Sequence, residues 1–467
     1  MRSVSQWPTV WVLRSRMLPC RFVMWPHKAF DVKFWLKTDV LLWVSLGCIH
    51  FSPAVASMGL IAYVFQLWVW GERVEEMGLI RWFWWGVALC VGWNMCVIWM
   101  SGYWPWSVGV GGVSGVTMDV AGGLLEKESE IGRMALNKVL IKLPLLLVAM
   151  AYGWGRRLRT IFGGGWFLGV LPLIWVGVSS VIHYFQHRTF YDQMVLESKP
   201  IPLYSGVYHI EFATIMGVMV LLMIRGLIQK DFRENYLAMA SVAVLVLCMH
   251  VLGSRTGLIL VYIGGALMVG KWAYGRPEIR RSILLVLPLL ILSMILLPSA
   301  KNRLTNTWDD FSTTFKGGDV TYKSFGQRWV AWKASMSVLG STPNSAVIGA
   351  GVWTDDRLQK EYSSLDVSLA ERHRIGVHNQ WLEMSLQSGW IVSALFFIFV
   401  LIGLRTAGGN ALNSNQQIWL AIVAAMMFES LLERQAGVLI TIVALQVMLG
   451  TKITNNSQIK DENTLNI

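Results

Sequence analysis

The chain is short of charge, of cysteine and of acidic residues, and each scarcity removes a class of protein. Charged residues are 15% of its 467 positions while 54% are hydrophobic, and the mean hydropathy is +0.49. A soluble domain of this length has too little interior to hide that much apolar surface, so the composition is that of a polytopic membrane protein. The five cysteines (Cys20, Cys48, Cys90, Cys96 and Cys248) have no metal-like spacing, and four lie in or beside apolar runs, where a thiol is an ordinary small buried side chain. Residues 1–38 mix Arg and Lys with Trp and Phe and lack a continuous apolar stretch, which argues against a cleavable signal and makes Leu18-Pro19-Cys20 a poor lipid-attachment motif. No fixed-period repeat stands out, so a pseudo-symmetric transporter gains no support. With 28 acidic against 40 basic residues the net charge is +12. The basic residues follow the membrane loops, so the charge implies no nucleic-acid partner.

What is abundant is apolar runs, with 25 Trp and 23 Met among them. A spanning helix needs about 20 mainly apolar residues. Runs of that kind lie near 38–52, 54–71, 79–100, 137–153, 162–182, 207–228, 235–252, 257–274, 281–299, 380–404, 416–431 and 434–450. The expectation is an all-α polytopic membrane protein of about twelve transmembrane helices, with Pro53 dividing the first two.

Loop charge gives the sidedness, since short cytoplasmic loops retain Lys and Arg. With a basic, cytoplasmic tail over 1–37, the loops at 153–160, 228–234 and 271–281 fall inside, and all three are basic. The segments 101–136, 183–206, 253–256 and 300–379 fall outside, the first of them Gly-rich and carrying Glu126, Glu128 and Glu130. Nine spans are thus expected over 38–299, a long outer segment over 300–379, three spans over 380–450 and a polar cytoplasmic tail over 451–467. The 300–379 segment is too long for a simple connector. Within it Arg328 opens an amphipathic helix whose Trp329, Trp332, Met336 and Leu339 follow helical spacing, a face suited to the outer interface.

Three features meet at that outer level: Ser254-Arg255-Thr256-Gly257 between two spans, Arg328 at the start of the interfacial helix, and His378-Asn379 at the start of the next span. Arg255 sits where the topology rule disfavours positive charge, so it either snorkels to lipid headgroups or meets an anion. Taken singly, Arg328 is an ordinary basic residue near a helix start and His378 an ordinary helix-start hydrogen-bonding residue. Together, two guanidiniums can clamp a diphosphate through planar bidentate donors, and a histidine beside them can take a proton from an attacking hydroxyl. Arg188 is a further external arginine. The acidic pairs Asp309-Asp310 and Asp355-Asp356 are adjacent rather than spaced as Asp-x-Asp, and read as caps and turns.

His378-Asn379 followed by nine residues and Gly389 resembles the histidine motif of bacterial O-antigen ligases (WaaL type). Ser254-Arg255-Thr256-Gly257 and Gly326-Gln327-Arg328 resemble that family's two arginine-bearing segments, in the same order. The resemblance in topology runs from first span to last, and is specific between about residues 250 and 395. It implies a GT-C-like, inverting, metal-independent glycosyltransferase with no cofactor. The donor would be O-antigen on undecaprenyl diphosphate and the acceptor lipid A-core oligosaccharide, at the periplasmic face of a bacterial inner membrane with both termini cytoplasmic. By position, His378 would act as base toward the acceptor hydroxyl or orient it, Arg255 and Arg328 would hold the diphosphate with Arg188 as a further contributor, and Asn379 and Ser254 would support them. An O-antigen polymerase or a protein O-oligosaccharyltransferase shares much of the pattern. A transporter of lipid-linked sugar is the reading from another class, with Lys142, Pro144 and Glu211 as its only modest hints of charged or helix-breaking residues in spans, Glu211 lying close to the outer boundary.

Overall fold

The protein is described here as a computed structural model, covering residues 39–73, 78–103, 121–154, 156–157, 162–196, 201–205, 207–228, 236–253, 255–274, 276, 298–320, 323–365, 376–406 and 414–446. Apart from one short antiparallel pair, β1 (Glu72–Arg73) with β2 (Arg156–Arg157), its regular structure is helical. Among the described residues, six helices are long and apolar enough to cross a membrane, within Pro53–Trp70, Trp84–Ser101, Ile131–Gly153, Trp166–Gln186, His209–Ile228 and Thr256–Ala273. Three shorter apolar helices, Tyr236–Val251, Trp390–Ile402 and Gln435–Gln446, accompany them. It is an all-α membrane protein.

The residues explain where helices stop. Helix α1 (Val40–Cys48) has nine residues, too few for a span, and α2 (Pro53–Trp70) starts afresh after it. Ser52 caps α2 by accepting a hydrogen bond from the Val55 amide at 3.4 Å, and Pro53 occupies a first-turn position that has no need of an amide hydrogen. The stretch expected as an outer loop at 101–136 instead enters α4 (Ala121–Gly153), so its acidic residues ride on the first turns of a long helix that follows α3 (Gly78–Tyr103). The expected span at 281–299 lies outside the described residues except for its last two positions, which begin α10.

Burial divides the spans into central and peripheral ones. Of α7 (His209–Ile228), 78% of the apolar window is buried, against 33% for α2. Helix α5 (Phe162–Gln186), followed by the short α6 (Arg188–Leu196), points Leu171 and Trp175 outward, as a lipid-facing surface would. Aromatics are not confined to such rims: Trp43, Trp84 and Trp166 are fully buried in the main core with Tyr63 and Tyr152. Helices α8 (Tyr236–Val251) and α9 (Arg255–Ala273) complete this half, with α9 packed on α7.

The segment after residue 298 builds its own small core. It contains α10 (Pro298–Phe315), α11 (Ser324–Gly340), α12 (Pro343–Val347) and α13 (Thr354–Leu365). Ala331, Ala334, Val338 and Leu339 of α11 pack with Leu358 and Tyr362 of α13, with Val377, and with Leu386 of α14 (Gln380–Ser388). The buried stripe of α11 is thus set by alanines and small aliphatics. Of the four residues expected on one interfacial face, Leu339 is buried and Trp332 packs against the core, while Trp329 and Met336 are exposed. Small side chains let α11 and α13 approach closely, which a count of bulky residues does not register.

The expected span at 380–404 is broken in two, α14 and α15 (Trp390–Thr406), at Gly389. Gly389 has φ of +86°, and a Cβ there would collide with the Val347 carbonyl. Two further helices, α16 (Ser414–Met426) and α17 (Gln435–Gln446), flank a non-helical hairpin containing the 3-10 turn Leu431–Glu433.

Candidate functional site

His378 is held from both sides. Before it, Val377 is fully buried in the small core, and its carbonyl accepts a hydrogen bond from Trp332 Nε1 at 3.1 Å. After it, Asn379 caps α14: its Oδ1 accepts from the amides of Trp381 and Leu382, both at 3.0 Å. Between these anchors His378 has φ of +50°, the one positive φ at a non-glycine among the described residues. A left-handed backbone at a residue with a Cβ persists only where its surroundings impose it, and such positions concentrate at functional sites.

The imidazole reaches across to the hairpin after α16. His378 Nδ1 lies 3.1 Å from Glu429 Oε2, and Arg328 Nη2 donates to Glu429 Oε1 at 2.5 Å. Glu429 is 6% exposed, so its carboxylate is buried but doubly partnered. With Glu429 accepting from Nδ1, the ring is oriented in the tautomer whose Nε2 carries the lone pair. The hairpin is in turn tied to the histidine segment: Asn379 Nδ2 donates to the Met427 carbonyl at 3.0 Å, and Gln380 Oε1 accepts from the Leu432 amide at 2.7 Å.

Arg328 is delivered by the first turn of α11, and that end of the helix is fastened by Asp310, whose carboxylate accepts from the amides of Phe325 at 2.8 Å and Gly326 at 3.1 Å. Asp309 pairs with Lys323, and Asp355 pairs with Lys138 of α4 at 3.1 Å. Asp309, Asp310 and Asp355 therefore serve as helix-end and cross-link residues. Among the described residues no group of three His, Cys, Asp or Glu gathers as a metal cage.

Beside this cluster Arg434 pairs with Glu211 at 3.2 Å and lies over the ring of Tyr208, 5.5 Å from its centroid. Burial raises the Tyr208 hydroxyl above its ordinary range; Arg434 opposes the rise, and the Glu429 and Glu211 carboxylates add to it. Glu211, a possible sign of a transport path, thus has a local partner, as does Lys142, which pairs with Glu433 at 2.7 Å.

The structure therefore joins two of the sequence-nominated residues, His378 and Arg328, through a third that sequence reasoning missed. Glu429 stands in an apolar run, AAMMFESLL, and an acidic residue at a membrane boundary was the available signal. Arg255 is the first residue of α9, at the positive end of the helix, but its side chain is outside the described set; Ser254 lies outside the described residues altogether. Arg188 closes an ion pair with Asp192 on its own helix at 3.5 Å.

Residues 240–397, from within α8 to within α15, match the family described as O-Antigen ligase. This match, over about a third of the chain, supports membership of the O-antigen ligase family. The match contains Arg255, Arg328 and His378, and stops short of Glu429. No curated protein matches the chain. The match supports a member of the O-antigen ligase and polymerase superfamily.

Proposed function

We propose that the protein is a ligase in the narrow sense. On this reading it transfers O-antigen glycan from undecaprenyl diphosphate to a hydroxyl of lipid A-core oligosaccharide, at the periplasmic face of the inner membrane, without a metal. The observation that carries the glycan-transfer part of the reading is the convergence of His378 and Arg328 on the buried Glu429; the choice of lipid A-core as acceptor rests on the resemblance of the His378-Asn379 motif with Gly389 to that of the ligases.

In the proposed reaction the acceptor hydroxyl approaches His378 Nε2, which takes its proton as the oxygen attacks the anomeric carbon. The bond from that carbon to the diphosphate oxygen breaks as the new glycosidic bond forms, inverting the centre in a single displacement. Glu429 holds Nδ1–H and stabilises the imidazolium that results. Negative charge grows on the leaving diphosphate, where Arg328 and Arg255 would act. A guanidinium has five N–H donors, so the Arg328 contact with Glu429 leaves others for phosphate oxygens. The start of α9 adds the positive end of a helix at Arg255.

A polymerase would use the same cluster with a glycan chain as acceptor. Reconstitution in liposomes with the lipid-diphosphate glycan plus either lipid A-core or a second lipid-linked glycan separates the two. The ligase reading expects product on lipid A-core; a lengthened lipid-linked chain with unmodified core would overturn it in favour of polymerisation.

A further inference from the structure

Behind the site, further along α14 from His378, lies a charged network that the proposed chemistry does not use. Lys142 of α4 is 3% exposed and makes three contacts at 2.7 Å: with Glu433 Oε1, Gln387 Oε1 and Asn94 Oδ1. Gln387 Nε2 donates to Glu383 Oε1 at 2.7 Å and to Glu433 Oε2 at 3.0 Å. Asn94 Nδ2, from α3, donates to Ser388 Oγ at the end of α14. Charged groups in a membrane interior cost several kcal/mol unless fully partnered, and they mark function more often than stability.

The position of this network is informative. Glu433 closes the same hairpin that carries Glu429, one 3-10 turn further on. Gln387 and Glu383 sit on α14, the helix that begins at Asn379 beside His378. One ammonium therefore ties together, within the packed interior, the two elements whose other ends present the imidazole and its carboxylate partner. The ends nearer His378 are linked by the Asn379–Met427 and Gln380–Leu432 hydrogen bonds, so the hairpin and α14 are fastened at two places.

We propose that Lys142 is a positioning residue for glycan transfer, setting the register of the Glu429 hairpin against α14 through Glu433 and Gln387. The inference rests on the transferase reading above. Lys142 touches neither substrate nor reacting atoms. Its effect is on the distance and orientation between His378 and Glu429, a geometry to which a transfer step is sensitive at the ångström level. Loosening it should lower turnover and leave ground-state binding of the lipid diphosphate nearly intact.

The test uses the full-length protein in liposomes, with lipid-linked glycan and lipid A-core as substrates. Lys142→Met should lower kcat by about tenfold or more with the donor KM within about twofold of wild type, normalised to folded, monodisperse protein. Gln387→Met serves if Lys142→Met does not fold, because it cuts the tie between α14 and Glu433 while keeping the Lys142–Glu433 pair; the same split between kcat and KM is expected. Tyr63→Phe is the control for a buried polar contact elsewhere, since Tyr63 bonds Tyr152 at 3.0 Å and Gln446 at 3.2 Å, and should transfer at the wild-type rate. Wild-type kcat in Gln387→Met, or a loss accounted for by unfolded protein, would overturn the inference. Should His378→Ala also transfer normally, the catalytic reading itself fails; an inactive His378→Ala beside a fully active Gln387→Met sinks the positioning role alone.

Discussion

At the residue scale, the site turns on two side chains, His378 and Arg328, that share the carboxylate of Glu429. His378 and Arg328 were legible in the sequence because each stands where an apolar run meets a polar segment, and because their spacing matches a known motif. Glu429 was not: it is 51 residues beyond its histidine partner, and only folding brings the two together. Glu429→Gln keeps the size and one hydrogen-bonding oxygen but removes the charge that stabilises an imidazolium. Transfer should fall by about a hundredfold to ten-thousandfold, as for a histidine deprived of its carboxylate, measured as kcat in liposomes. Arg255→Lys should also impair transfer despite conserving charge, since an ammonium does not reproduce a planar bidentate fork. A rise in donor KM together with a fall in kcat is the expected pattern, and an unchanged Arg255→Lys enzyme would remove that side chain from the diphosphate site.

At the scale of elements, the sequence pattern located most helices but missed the interruption at Gly389 and misjudged the buried face of α11. Apolar runs marked the helices now seen at α2, α3, α5, α7 and α9 within a few residues. The run at 380–404 looked continuous because Gly389 does not interrupt hydropathy. It breaks the helix through its backbone, with φ of +86° and the Val347 carbonyl against its hydrogen. Gly389→Ala should therefore destabilise the protein by about 1–3 kcal/mol, from the left-handed backbone together with the steric clash. It should also lower activity by displacing α14, which a thermal-unfolding measurement paired with transfer kinetics can check. Asn379 acts at the other end of the same helix. Asn379→Ala removes a cap contributing about 1 kcal/mol and cuts the link to Met427, so a modest loss of stability should accompany a larger loss of turnover. The face of α11 was misjudged for a related reason: bulky residues declare themselves in a sequence, whereas the alanines that permit close packing do not.

At the scale of the molecule, scarce charge and long apolar runs established the membrane class, and the fold is helical as composition required. The 300–379 segment was legible as too long for a simple connector, but its packing core was not, since Leu386 joins it from beyond the segment. Polar residues in the apolar runs were the least legible feature. Lys142 and Glu211 look like isolated oddities in the sequence, and their partners Glu433 and Arg434 lie hundreds of residues away at one hairpin. If the chemistry is carried by side chains alone, transfer by the reconstituted protein should survive EDTA, whereas loss restored by Mg²⁺ would require a metal in the mechanism.

The central claim is that His378, oriented by Glu429, takes the proton from the acceptor. Its most direct test is the rate of glycan transfer by His378→Ala, reconstituted at the same folded density as wild type. The account predicts a fall of about a hundredfold or more, the contribution of a positioned general base. Transfer at the wild-type rate would contradict it.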